Sequence, residues 1–279
     1  MASFTTVPTQ SLFRRQIALP QDHGAWVFIL SPLLIGLFAG GWVNASGFLI
    51  LAAMAAFLIR QPVSTLVKVY SRRRPRRDLA AAWFWTGVYG LLALVGVAGL
   101  AISGHAYLLW LALPGVPVFI VHLLLISRRE ERRQLGVELV GSGVLALAAP
   151  AAYWVGMGQA DPYGWWLFGL TWFQSAASIV YAYLRLGQRE LSARPPEAVL
   201  LRMANRALLY TGFNLLATLI LSLFKILPNW IWIPYALQSA ETLHGSLVQP
   251  AIGWKPTRIG VRQLIISTLF TILFILTWQ

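Results

Sequence analysis

The chain contains no cysteine, so disulfide frameworks and thiolate metal sites are both excluded. Acid is scarce: nine Asp and Glu stand against 22 Lys and Arg in 279 residues. Histidine is rarer still. The four copies (His23, His105, His122, His244) are scattered, with no HxxxH pair to suggest a metal-binding helix. Charged residues make up only 11% of the chain, while 58% are hydrophobic. That balance excludes a soluble domain of this length and indicates an all-α, polytopic membrane protein. The opening "MASFTTVPTQSLFRRQ" lacks the small-residue cleavage site that would follow the apolar run of a signal peptide.

Nine apolar stretches have membrane-spanning length: about 24–41, 42–59, 81–102, 106–126, 136–156, 163–184, 207–224, 228–248 and 261–278. Four short turns ("GGWVNAS", "SGH", "MGQADP", "KILPN") alternate with four longer connections, so the helices are expected as hairpins. The polar "LQSAETLHGS" makes the eighth span the weakest. The N-terminal arm and the long connections carry every Lys and Arg except Lys225. By the positive-inside rule those segments are expected in the cytoplasm, and nine crossings then leave "LTWQ" outside. The formal charge of +13 is thereby accounted for without nucleic acid. The expected partner is instead a bilayer with anionic headgroups, together with an amphiphilic small-molecule ligand. The expected organisation is a cytoplasmic arm over 1–20 and a single transmembrane domain over 21–279. That domain reads as two four-helix halves, 21–126 and 136–248, plus a ninth helix over 261–278.

Several polar residues stand out against this apolar background. In "QDHGAW", Asp22 suits an N-cap, and Trp26 suits an interfacial aromatic anchor. His23 shares a helix face with Trp26 and could serve as acid, base or anion donor. Arg60, beside Gln61 and Pro62 where the chain is expected to turn, could grip a phosphate or carboxylate with Lys68 two turns on. The run Arg72, Arg73, Arg74, Arg76, Arg77 fits topology and headgroup binding. Arg185, the counterpart of Arg60 in the second half, ends a helical stripe of Gln174, Ser178 and Tyr181. That stripe would either line a pocket or hold helices together.

Ionisable groups inside membrane segments are costly and tend to face a cavity or a partner. Glu138 could pair with Arg132 or Arg133 in "SRREERR". Glu241 lies deeper, with Gln238 and His244 on its face, and Asn214 could join them. One His and one Glu do not fill a metal's coordination sphere, so no metal site is expected there. Pro32, Pro114, Pro117 and Pro150 should kink their helices. His23, Arg60, Glu138 and Arg185 are expected to converge at the cytoplasmic mouth of one cavity.

"PQDHGAWVFILSPLLIG" resembles the opening of the YwiC-like family of bacterial integral membrane proteins, whose first helix follows P-x-[EQ]-H-G-A-W. Pro20, His23, Gly24, Ala25 and Trp26 match that pattern, while Asp22 stands where Glu or Gln is usual. The resemblance continues more weakly through "FLIRQP" and "LGVELVGSGVLALAAPAAYW". The helix count and the long loops after helices two and six also resemble UbiA-type intramembrane prenyltransferases. In that superfamily the two loops carry N-D-x-x-D-x-x-D and D-x-x-x-D motifs that hold Mg²⁺ against an isoprenyl diphosphate. Here the first loop offers only Asp78 and the second only Glu190 and Glu197, so the Mg-diphosphate motif is absent and the cofactor is left open. The resemblance implies a UbiA-like protein that binds an amphiphilic or isoprenoid-type ligand by an anionic head. A proton-coupled transporter using Glu241, His244 and Glu138, and a non-catalytic scaffold, are the alternatives.

Overall fold

The computed structural model describes residues 12–20, 23–128 and 134–278 of the chain. Among these residues all regular structure is helical. The helices are α1 (Arg15–Ala18), α2 (His23–Gly40), α3 (Asn44–Tyr70), α4 (Leu79–Ile102), α5 (Gly115–Arg128) and α6 (Leu135–Ala146). They continue with α7 (Ala148–Met157), α8 (Pro162–Gln188), α9 (Glu197–Leu223), α10 (Trp232–Leu243) and α11 (Pro256–Trp278). Among the described residues six helical stretches are long and apolar enough to cross a membrane: Asn44–Tyr70, Arg76–Ile102, Ala106–Arg128, Leu135–Met157, Glu197–Leu223 and Pro256–Trp278. The chain is a multi-pass membrane protein, and helices are the form in which such runs satisfy their own backbone in lipid. Helical structure also lies at the other three predicted positions, in α2, α8 and α10.

The helices fall into two compact units. The first comprises residues 1–22 and 43–134, the second 23–42 and 135–279. Helix α2, grouped by sequence with the first half, is thus part of the second unit.

In the first unit α3 and α4 form a long hairpin, and the described part of the N-terminal arm, residues 12–20, packs on it. The Tyr89 hydroxyl donates to the Ala18 carbonyl at 3.0 Å, and the Trp85 indole donates to that of Leu12 at 3.0 Å. Ile17 is buried against Leu66, Ala81 and Ala82. One sequence expectation is corrected here. The chain does not turn at Arg60: α3 runs on through Pro62 to Tyr70. A proline costs its helix one backbone bond, but Pro62 is buried, and downstream of it Thr65 Oγ1 donates to the Gln61 carbonyl. Pro32 is likewise accommodated inside α2. By contrast the helix does break near Pro114, between a 3-10 segment at Ala106–Ala112 and α5, and near Pro150, between α6 and α7.

The second unit depends on close backbone approach. In lipid there is little hydrophobic drive between helices, so small residues that admit neighbouring backbone determine the packing. A side chain at Gly36 would meet the Ala149 carbonyl, and one at Gly40 would meet the Tyr153 backbone. Gly156 in turn faces the Gly40 carbonyl, so α2 and α7 touch almost backbone to backbone. Helix α8 begins on Asp161, whose carboxylate accepts from the Tyr163 N–H at 2.8 Å, with Pro162 at the first helical position. Its buried stripe faces α10: the Tyr235 hydroxyl donates to the Leu170 carbonyl at 2.9 Å, and Gln238 Nε2 donates to the Gln174 carbonyl at 3.0 Å.

Candidate functional site

The stripe predicted on α8 ends in the most polar region of the second unit. Helix α10 is short and its last turn, His244–Val248, widens into a π-turn. A helix end leaves carbonyls without intrahelical donors, and here they are buried. Side chains from α8 satisfy them. The Arg185 guanidinium, 1% exposed, donates to the carbonyls of Gly245 and Gln249. Gln188 donates to that of Ser246 at 2.9 Å. Beyond α8, Arg194 reaches the carbonyl of Leu247 at 2.9 Å. Positive groups at a helix C-terminus also suit its dipole. A side chain at Gly245 would run into the Tyr181 hydroxyl, which explains a glycine where the two helices meet.

Three guanidiniums gather around Trp254, in the connection leading to α11. The Arg258 guanidinium lies 3.9 Å from the centre of its ring, that of Arg185 4.8 Å and that of Arg262 5.8 Å. An indole face is the best aromatic surface for a cation. One carboxylate enters this group. Glu241 receives Arg262 side-on, with Nε at 2.6 Å from Oε1 and Nη2 at 2.8 Å from Oε2, and the Tyr181 hydroxyl donates to Oε1 at 3.0 Å. Arg262 also donates to Gln249 Oε1 at 2.8 Å and lies 3.1 Å from His244 Nδ1. Three guanidiniums thus share one ring, and Arg262 bonds the acid. Arg258 is exposed.

A small cavity of about 20 Å³ adjoins Glu241, lined by Ser178, Tyr181, Gln238, Thr242, Gln263 and Ser267 among others. It is the size of one water, and Gln238 Oε1, which lines it, has no hydrogen-bond partner among the described residues.

Of the residues singled out by sequence, the structure brings Arg185, Glu241 and His244 into this one network. Glu138 instead accepts from Tyr183 at 2.7 Å, and Tyr183 lies on a different face of α8 from Tyr181 and Arg185. Its expected partners Arg132 and Arg133 lie outside the described residues, as do the Asp22 cap and the His23 side chain. Trp26 is half-buried in the first turns of α2, within the second unit. Arg60 and Lys68 lie on α3 in the first unit, where the Arg60 guanidinium sits 5.8 Å from the Phe57 ring centre. Asn214 does not join Glu241; it donates to the Phe173 carbonyl at 2.9 Å. Trp254, Arg258 and Arg262 were not foreseen as a site, although their even spacing of four residues is the signal that could have revealed them.

Among the described residues, Asp78, the one acid of the first loop, is already paired with cations. Asp78 is buried, with Arg14 Nη1 at 2.7 Å and Arg74 Nη1 at 3.6 Å from its carboxylate. No cluster of three His, Asp or Glu occurs among the described residues.

Comparison with known proteins bears on the family and the fold. Residues 19–153, just under half of the chain, match the family model described as YwiC-like protein. An uncharacterized protein, YwiC, of Bacillus subtilis (strain 168) is 24% identical over 256 residues, covering 90% of this chain and 94% of its own. Among solved structures, that of a digeranylgeranylglyceryl phosphate synthase in membranes superposes with a TM-score of 0.55 at 12% identity, over 96% of each chain. The protein therefore resembles the YwiC-like family and has a fold like that of a UbiA-type prenyltransferase.

Proposed function

We propose that the protein binds an amphiphile of isoprenoid type, seating its anionic head at Trp254, Arg258 and Arg262 and its apolar tail against the membrane-embedded helices. The observation that carries this reading is the excess of guanidinium over carboxylate around one indole, with Arg258 exposed. Arginine suits phosphate through its planar fork of donors, and an aromatic neighbour keeps that fork in place. The fold's likeness to a protein whose name includes digeranylgeranylglyceryl phosphate, an isoprenoid anion, supports the ligand class. Without a carboxylate-held dication, recognition of the head would fall to the arginines directly.

The same reading places the N-terminus and the basic connections in the cytoplasm, because all Lys and Arg but Lys225 lie in them. The transporter alternative has less support. Glu241 is already engaged by both Arg262 and Tyr181, and the cavity beside it has room for about one water.

Lipid extraction of protein purified in mild detergent tests the ligand class. Enrichment of phosphorylated isoprenoids over the bulk membrane lipids is the expected result. A lipid profile identical to the bulk membrane would contradict it.

A further inference from the structure

At the other end of α10, where α9 turns into it, the second unit has a larger concavity. It offers about 220 Å³ and is lined by Leu219, Ser222, Leu223, Lys225, Asn229 and Trp232. That is room for several waters or for a small polar head. The lining includes no acid. Its donors are the Lys225 ammonium, the Asn229 amide and the Trp232 indole. Ser222 Oγ is already engaged, 2.8 Å from the Thr218 carbonyl and 3.0 Å from that of Pro228. Leu219 and Leu223 supply an apolar flank on α9.

Lys225 is unusual in two ways. It is the only Lys or Arg in any of the short turns, and among the described residues it has no ion pair. It also holds φ +58°, a left-handed conformation that favours glycine and that only Arg72, after α3, shares among the described non-glycine residues. The position demands that conformation. The helix ends in a closing pair of bonds, from the Lys225 N–H to the Ser222 carbonyl and from the Ile226 N–H to the Leu221 carbonyl. Gly41, Gly104 and Gly158 provide the left-handed residue after α2, α4 and α7. A lysine in the same role brings a charge that the turn itself does not require. A cation at a helix C-terminus gains something from the dipole, and interfacial lysines often reach out of lipid. Neither effect explains an acid-free concavity around it that holds two further donors.

We propose that this concavity seats the anionic headgroup of a phospholipid, with Lys225 as counter-charge and Leu219 and Leu223 against its acyl chain. The charge complementarity and the apolar flank select an anionic lipid rather than a soluble anion or a protein partner. This site is separate from the arginines around Trp254 and does not depend on their function.

Native mass spectrometry of the protein released from mixed micelles tests it, with phosphatidylglycerol, phosphatidylcholine and inorganic phosphate as the probes. An Arg258→Ala background removes one anion-binding cation from the other site. There, the Lys225 form should retain phosphatidylglycerol at least tenfold better than phosphatidylcholine. Lys225→Gly, which keeps the left-handed turn without strain, should lose that preference while its melting temperature stays level or rises. Lys225→Arg should keep the preference. Equal phosphatidylglycerol retention by Lys225→Gly would overturn the site, as would inorganic phosphate displacing the lipid at equal concentration.

Discussion

Arg262 on α11 holds Glu241 on α10 through two nitrogens at once, Nε at 2.6 Å and Nη2 at 2.8 Å. The pair ties the last helix to the end of α10, where the π-turn begins and where Arg185 donates to the carbonyls of Gly245 and Gln249. Glu241 is therefore structural and electrostatic together: it fixes Arg262 beside Trp254 and offsets one of three guanidiniums.

Removal of one partner from such a pair leaves the other charge poorly solvated. Glu241→Ala should lower stability by about 3 kcal/mol, and the double variant Glu241→Ala/Arg262→Ala should cost less than the sum of the two single changes. Detergent-induced unfolding in mixed micelles measures this. A loss within about 0.5 kcal/mol for Glu241→Ala would mean that the pair behaves like an exposed one.

The α2–α7 contact has no room to spare. A Cβ at Gly40 would lie 2.7 Å from the Tyr153 Cα, so Gly40→Leu should destabilise by at least about 1–3 kcal/mol, the usual cost of overpacking. Gly169, inside α8, has nothing within 4 Å of its would-be Cβ. Gly169→Ala should stabilise by about 0.5–1 kcal/mol through helix propensity. Thermal unfolding followed by fluorescence compares the two, and a neutral Gly40→Leu would refute the close approach.

If all nine apolar stretches cross and the N-terminus is cytoplasmic, the C-terminus lies outside. A C-terminal reporter that is active only in the cytoplasm should be silent, and one that requires export should be active. The reverse pattern would mean an even number of crossings. Every orientation assigned to a motif after the miscounted span would then have to be exchanged.

The positions of the helices were legible in the sequence because long apolar runs leave the backbone no alternative in lipid. Their ends were less so. Arg60, Gln61 and Pro62 read as a turn, yet α3 continues because the polar side chains and a buried proline are compatible with a helix that goes on to Tyr70. The site was half visible. Glu241, His244 and Arg185 stood out as ionisable groups in apolar segments, and the structure joins them. Arg262, which from sequence was one basic residue among many in the connections, joins Glu241 to His244, and it meets Arg185 at the Trp254 ring. Trp254 was equally hidden, since a tryptophan near a membrane surface is usually an anchor and nothing local marks it as the centre of three arginines. The grouping of α2 with α7 was also out of reach, because backbone contact through Gly36, Gly40 and Gly156 leaves no periodic signal.

The most direct measurement compares farnesyl phosphate with farnesol, which differ only in the anionic head, for binding to the protein in nanodiscs of zwitterionic lipid. If Trp254, Arg258 and Arg262 seat that head, the phosphate should bind at least tenfold more tightly than the alcohol at low salt. The advantage should shrink several-fold in Arg258→Ala and as salt rises. Equal affinity for the two ligands, or an advantage unchanged in Arg258→Ala, would contradict an anionic-head site at this indole.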